Sequence, residues 1–170
     1  LLFTIVGTLL CSTGSSVMNN VIESETDKLM ERTKNRVLPT QKISLLSAKI
    51  IGFTFIISGL SILNFKVNST TCILSLITIV SYLFLYTPLK RKSWLNTSIG
   101  AIPGALPPLG GWTAATGSLE WGGVAVFLIL FFWQHPHFYS IAYLYKEDYK
   151  NAGLQMLPVI DGGIKRTVLH

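Results

Sequence analysis

Asn19, Glu23 and Asp27 stand four residues apart. On a helix that spacing stacks three oxygen-bearing side chains along one face. Oxygen donors in that arrangement suit a hard divalent cation such as Mg²⁺. Arg32, Lys34 and Arg36 follow at once, and residues 19–39 hold four of the chain's eight acids. Carboxylates that bind a cation, beside cations that bind an anion, are the two halves of a magnesium–diphosphate site. The competing reading is a solvated charged loop, which has no need of the i, i+4, i+8 register. The order of charge, acids first and cations after, on what reads as a continuing helix, favours a binding role.

Further along, Tyr86-Thr87-Pro88-Leu89-Lys90-Arg91-Lys92 ends an apolar run. Lys92 reads as an interfacial anchor, whereas Lys90 and Arg91 form a second cationic patch able to reach the same anion. Residues 146–153 carry Glu147 and Asp148, a second acidic spot. Two carboxylate-bearing loops on one side can hold Mg²⁺ between them, with the metal bridging diphosphate oxygens. Trp133, His135, His137 and Phe138 cluster around Gln134 and Pro136. Histidines two apart point to different helix faces, which argues against a joint metal site. A lone histidine in an apolar helix is ordinarily a hydrogen-bonded packing residue. The aromatic neighbours suit a flat apolar substrate.

The elements that must position these groups are legible from where charge is missing. No charged residue occurs in 1–22, 67–89, 93–119 or 121–145, and 43–64 carries only Lys49, near an end where a lysine snorkels. A membrane-spanning helix needs about 20 mostly apolar residues. One such run could be the core helix of a soluble protein, but five in succession cannot be hidden in 170 residues. The expected fold class is all-α: a polytopic transmembrane bundle of about five helices forming a single domain over residues 1–170. Loops 23–42, 90–92 and 146–166 share one side and hold twelve basic residues, against Lys66 alone on the other. The basic side therefore faces the cytoplasm, or the matrix in an organelle. The net charge of +6 is accounted for by topology and anion binding, with no call for nucleic acid.

Residues 98–116 interrupt an apolar segment with Gly100, Pro103, Gly104, Pro107, Pro108, Gly110 and Gly111. In a membrane this is tolerated where freed backbone groups are buried in protein or line a cavity, so a kinked, thin-walled interior helix is expected. The small residues of 1–18 likewise predict a closely packed interior helix. Cys11 and Cys72 lie on different crossings, and nothing in their spacing suggests a disulfide. The chain begins without Met and ends soon after Lys165–Arg166, and is expected to be an internal piece of a longer protein.

These residues resemble the UbiA superfamily of intramembrane prenyltransferases, and within it the haem O synthase family. The N-x-x-x-D-x-x-x-D signature is met by Asn19, Glu23 and Asp27, with Glu in the middle place. D-x-x-M-x-R-T-K-N-R is met from Asp27 to Arg36, after which Val37-Leu38-Pro39 departs from the usual R-P-L. Y-T-P-L-K-R is met by Tyr86 to Arg91, and G-A-x-P-P-x-x-G-W-T-A-x-x-G-S-L by Gly104 to Leu119. W-Q-x-P-H-F is met from Trp133 to Phe138, and D-Y-x-x-A-G-x-x-M-L-P from Asp148 to Pro158.

The resemblance implies a reaction in which farnesyl diphosphate donates its farnesyl group to a vinyl group of haem B, giving haem O and diphosphate. It implies Mg²⁺ held by Asn19, Glu23, Asp27 and Asp148, with Glu147 and Asn151 as further candidates. Arg32, Lys34, Arg36, Tyr86, Lys90 and Arg91 would bind diphosphate, and Trp133, His137 and Phe138 the haem. Its partners would be the lipid bilayer and a downstream haem-modifying enzyme. Its place would be a bacterial cell membrane, or the mitochondrial inner membrane. The alternatives are a related prenyltransferase acting on a quinone or chlorin precursor, and a non-catalytic subunit or transporter. A transporter would set its polar groups near the midplane, whereas here they gather on one side.

Overall fold

A computed structural model describes residues 1–161. Among these, all regular structure is helical: α1 (Leu2–Ile22), α2 (Ser24–Asp27), α3 (Leu45–Lys66), α4 (Ser69–Val80), a π-helical stretch (Ser81–Tyr86), α5 (Thr87–Leu89), α6 (Asn96–Thr116), α7 (Trp121–Leu144), α8 (Lys146–Asn151) and α9 (Leu157–Ile160). Four continuous stretches are long and apolar enough to cross a membrane: Leu2–Ile22, Leu45–Lys66, Ser69–Leu89 and Trp121–Leu144. The fifth long helix, α6, has the length, 21 residues, but its glycines and prolines dilute its hydropathy. Its helical path runs unbroken past Pro103, Pro107 and Pro108. Lys165 and Arg166 lie outside the described residues.

The helix starts follow local chemistry. Ser44 Oγ accepts from Ser47 N–H at 3.0 Å, and Asn68 Oδ1 accepts from Thr71 N–H at 2.8 Å. Each satisfies one of the amides that a helix N-terminus leaves unpaired. Gly117, at φ 80°, closes α6 in the left-handed conformation that glycine adopts without strain.

α1 packs on α3 through opposed glycines. A β-carbon at Gly14 would stand 2.7 Å from Gly52 O, and one at Gly59 2.7 Å from Gly7 O. Lipid offers no hydrophobic drive for helix pairing, so this close backbone approach supplies it through van der Waals contact. α6 bridges α4 and α7, with Asn68 donating to Thr113 O and Gln134 to Ala101 O.

The connection after α1 departs from the expected continuing helix. α1 ends at Ile22, Glu23 takes φ −92° and ψ 4°, and one further turn runs to Asp27 before a string of turns to Lys42. Thr33 Oγ1 donates to Asp27 O at 2.9 Å and folds the chain back there. This segment has no long apolar face to bury, and helices in water depend on such burial. The i, i+4 relation survives the break, because Glu23 N–H bonds Asn19 O and Asp27 N–H bonds Glu23 O.

Candidate functional site

The polar ends of α1, the π stretch and α7 converge on one side of the bundle. There Asn19, Glu23, Asp27, Arg32, Arg36, Tyr86 and Lys90 line one pocket of about 270 Å³. Sequence spacing grouped the first five, and the tertiary fold brings in Lys90 from 67 residues beyond Glu23.

Inside this pocket the opposite charges are paired. Lys90 Nζ lies 2.8 Å from Glu23 Oε1, with both side chains mostly buried. Arg36 Nη1 lies 2.9 Å from Asp27 Oδ2, and Asp27 is fully buried. Arg36 also donates to Asn20 Oδ1 at 3.2 Å, and Asn19 Nδ2 donates to Glu23 Oε2 at 2.7 Å. Lys90 sits 4.6 Å above the Tyr86 ring, a favourable cation–π position. Gly100 of α6 crowds the Tyr86 ring, for a β-carbon there would meet it at 2.5 Å.

The donor set can be tested against Mg²⁺. Asp27 Oδ1 is buried and has no hydrogen-bond partner, an acceptor left bare where polar atoms are normally satisfied. Among the described residues, no three His, Cys, Asp or Glu side chains gather as a self-sufficient metal cage. Mg²⁺ is ordinarily held by one or two carboxylates together with substrate phosphates and water, and the bare Asp27 Oδ1 is an oxygen donor of that kind. Asn19, Glu23 and Asp27 are the residues that would hold it.

The other predicted residues are distributed differently. Asp148 is outside the pocket lining and accepts from Arg32 N–H at 3.3 Å, while its neighbour Tyr149 lines the pocket. Glu147 and Asn151 are exposed. Lys34 pairs with Glu31 in solvent, away from the pocket. Arg91 lines a separate recess with Glu23, Thr87 and Lys92. Phe138 lines the pocket. Trp133 and His137 instead stack on one another, centroids 4.7 Å apart, and both are exposed. His135 is held between Phe131 O at 2.9 Å and Ser98 Oγ at 3.2 Å, as a packing histidine would be.

Below the charged pocket lies a second, mostly apolar cavity of about 260 Å³ within the span region. Tyr82, Tyr86 and Phe138 line both, so the two spaces adjoin. α1 contributes Thr8, Cys11, Ser12, Ser15 and Ser16, and α6 contributes Gly100, Pro103, Gly104 and Gly110. Ser15 and Thr78 donate to their own helix carbonyls, which mutes their polarity toward the cavity. Gln134 of α7 also lines it and packs directly against Gly104. The expected thin wall of α6 is thus realised where glycine makes room for Tyr86 and Gln134.

Sequence reading passed over Tyr82, Thr87, Gln134 and Tyr149 as site residues. Thr87, Gln134 and Tyr149 fall in motifs read for other members, and Tyr82 lies one helical turn before one. What singles them out is contact across helices, which spacing cannot encode.

Comparison with known proteins agrees with this geometry. The model of the UbiA prenyltransferase family matches residues 1–170. The chain is 49% identical over 157 residues to the protoheme IX farnesyltransferase of Koribacter versatilis, covering 92% of this chain and 51% of that protein. It is 47% identical over 167 residues to that of Solibacter usitatus, covering 98% and 57%. It is 44% identical over 161 residues to that of Aquifex aeolicus, covering 94% and 55%. The chain thus spans about half the length of these relatives. No solved structure matches it. A full-length family match, laid over an all-helical bundle with a charged pocket above an apolar cavity, makes this chain a member of the UbiA prenyltransferase family.

Proposed function

We propose that the full-length protein transfers the farnesyl group of farnesyl diphosphate to a vinyl group of haem B, yielding haem O and diphosphate. The observation that carries this reading is the junction of two unlike spaces. A pocket of paired carboxylates and cations opens through Tyr82, Tyr86 and Phe138 onto an apolar cavity inside the bundle. An ionic head on a long hydrocarbon tail is the ligand such a junction suits. Along α1 the apolar cavity is lined from Thr8 to Ser16, about 12 Å at the rise of an α-helix, and the charged pocket starts at Asn19. The relatives' names supply the acceptor, haem.

The chemistry follows from charge. Breaking the allylic C–O bond leaves its electron pair on diphosphate, so the barrier falls as that developing charge is neutralised. Lys90 and Arg36 hold carboxylates in this structure and would turn to diphosphate oxygens, leaving Glu23 and Asp27 as the residues that would hold Mg²⁺. Mg²⁺, when bound, supplies Lewis-acid neutralisation of the leaving group. Arg32 adds a third cation to the lining. The apolar cavity keeps water from the allylic carbon until the acceptor adds. The vinyl group attacks through its terminal carbon. The cation left beside the porphyrin takes up water as a hydroxyl and loses a proton.

A porphyrin has a flat face to offer the exposed Trp133–His137 stack, and Phe138, 5.8 Å from His137, links that stack to the pocket. The basic loops support a charged pocket on the cytoplasmic side of a bacterial cell membrane, or on the matrix side in an organelle. Haem extraction and mass analysis of membranes carrying the full-length protein tests the reading. Haem O should depend on farnesyl diphosphate and Mg²⁺, and Glu23→Ala or Asp27→Ala should lower it about 10²–10³-fold. Undiminished haem O from either variant would refute the metal–diphosphate assignment.

A further inference from the structure

Thr87 sits at the end of the π stretch with its side chain buried. Its Oγ1 is 2.8 Å from Asn19 Oδ1 on α1 and 2.8 Å from Tyr82 O in its own helix. Both neighbours are acceptors, and a hydroxyl has a single proton to donate. Tyr82 O already takes the backbone N–H of Thr87. Tyr82 O thus has one donor without the hydroxyl, whereas Asn19 Oδ1 carries no proton of its own, so donation from Thr87 is what makes the 2.8 Å contact to Asn19 a hydrogen bond. The orientation of the Asn19 amide is set by the same network, since its Nδ2 must face the Glu23 carboxylate, 2.7 Å away. A flipped amide would face its oxygen toward the Glu23 carboxylate, so Oδ1 stays toward the Thr87 hydroxyl.

The π stretch makes this contact possible. Its wider turn adds one residue relative to an α-helix, and each α-helical residue advances about 100° around the axis. An unbroken α-helix over the same residues would swing position 87 away from α1 by that angle. Pro88 has no N–H to donate, which lowers the cost of leaving the α-helical ladder at this point.

We infer that Thr87 is a positioning residue: acting through Asn19, it holds the Glu23 carboxylate in the orientation that would receive the Mg²⁺ carried by diphosphate. The inference rests on the metal–diphosphate reading of the pocket and adds a residue that touches neither ligand. The relay runs from Thr87 Oγ1 to Asn19 Oδ1, from Asn19 Nδ2 to Glu23 Oε2, and from Glu23 Oε1 to Lys90 Nζ. Lys90 and Thr87 belong to the same helix end, so the relay closes on the element where it starts.

Calorimetry on the full-length protein in detergent, with inorganic diphosphate as probe and Mg²⁺ present or absent, tests it. Thr87→Val keeps the shape and removes the donor, and Thr87→Ser keeps the donor. Thr87→Val should weaken Mg²⁺-dependent diphosphate binding about 10–100-fold, the usual effect of losing a group that orients a metal ligand. Thr87→Ser should stay within about threefold of the parent by the same reasoning. In an Asn19→Ala background, Thr87→Val should add no further loss, because the relay is already cut. Equal impairment by Val and Ser, or an undiminished additional loss in the Asn19→Ala background, would show that Thr87 serves packing alone and overturn the inference. Parent-like binding by Thr87→Val would overturn it too. If the parent protein itself binds diphosphate no better with Mg²⁺ than without, the reading of the pocket fails and the inference with it. That result is distinct from the others because it appears before any substitution at Thr87.

Discussion

The Asp27–Arg36 pair holds the most consequential tension in the site. Asp27 is fully buried, Arg36 is about a third exposed, and one carboxylate oxygen of Asp27 has no partner. Removing one member of a buried pair strands the other charge, which typically costs about 3–5 kcal/mol. Arg36→Ala should therefore lower stability by about 3 kcal/mol. Arg36→Ala with Asp27→Asn should recover part of that loss, because the stranded group is then neutral. Thermal unfolding of the detergent-solubilised protein measures both, and a double variant no more stable than Arg36→Ala would show that Asp27 has another partner. Under the proposed function, carboxylates that would hold a cation persist without one because Lys90 and Arg36 neutralise them.

At the scale of elements, the α1–α3 seam anchors the helix that carries Asn19. A β-carbon at Gly59 would meet Cys11 Sγ and Gly7 O at 2.7 Å each, so any larger side chain forces the helices apart. Gly59→Leu should cost about 1–3 kcal/mol or more through overpacking, and displace the Asn19 end enough to lower activity. Gly111 has nothing within 4 Å of the equivalent position, so Gly111→Ala should leave stability unchanged or slightly raised. Comparing the two melting temperatures and haem O yields checks the seam. A second element-level device joins the loops. Asn96, fully buried, donates to Ser93 O and to Gln155 O, and Gln155 N–H donates to Lys90 O at 2.7 Å. The segment after Tyr149 is thereby tied to the turn that carries Lys90.

The whole molecule is a membrane bundle with its chemistry at one end. Lys34 lies on the basic side with the pocket, and Lys66 at the opposite end of α3. In a background with Cys11 and Cys72 replaced by Ala, Lys66→Cys should react with an impermeant thiol reagent on intact cells. Lys34→Cys should react only after permeabilisation. The reverse pattern would invert the topology, and with it the side from which diphosphate enters. Many of the large apolar side chains stay exposed on this bundle, among them Phe65, Phe84, Ile129 and Phe132. Lipid is a compatible solvent for such a surface, and water is not.

Sequence by itself determined the class of molecule and the grouping of Asn19, Glu23 and Asp27 on one face. Those rest on local regularities: apolar runs of span length, and a four-residue spacing that survives the break at Glu23 because backbone bonds carry it across. Tertiary structure alone decided which cation meets which carboxylate and which aromatic residues face the cavity. Trp133, His137 and Phe138 are neighbours in sequence, yet only Phe138 turns inward, because helical rotation separates them. Asp148 accepts from a backbone amide of the first loop and lies outside the pocket lining, whereas its neighbour Tyr149 lines it. The π stretch left no mark in composition. Its effect, turning Thr87 toward Asn19, exists only where two helices 68 residues apart come into contact.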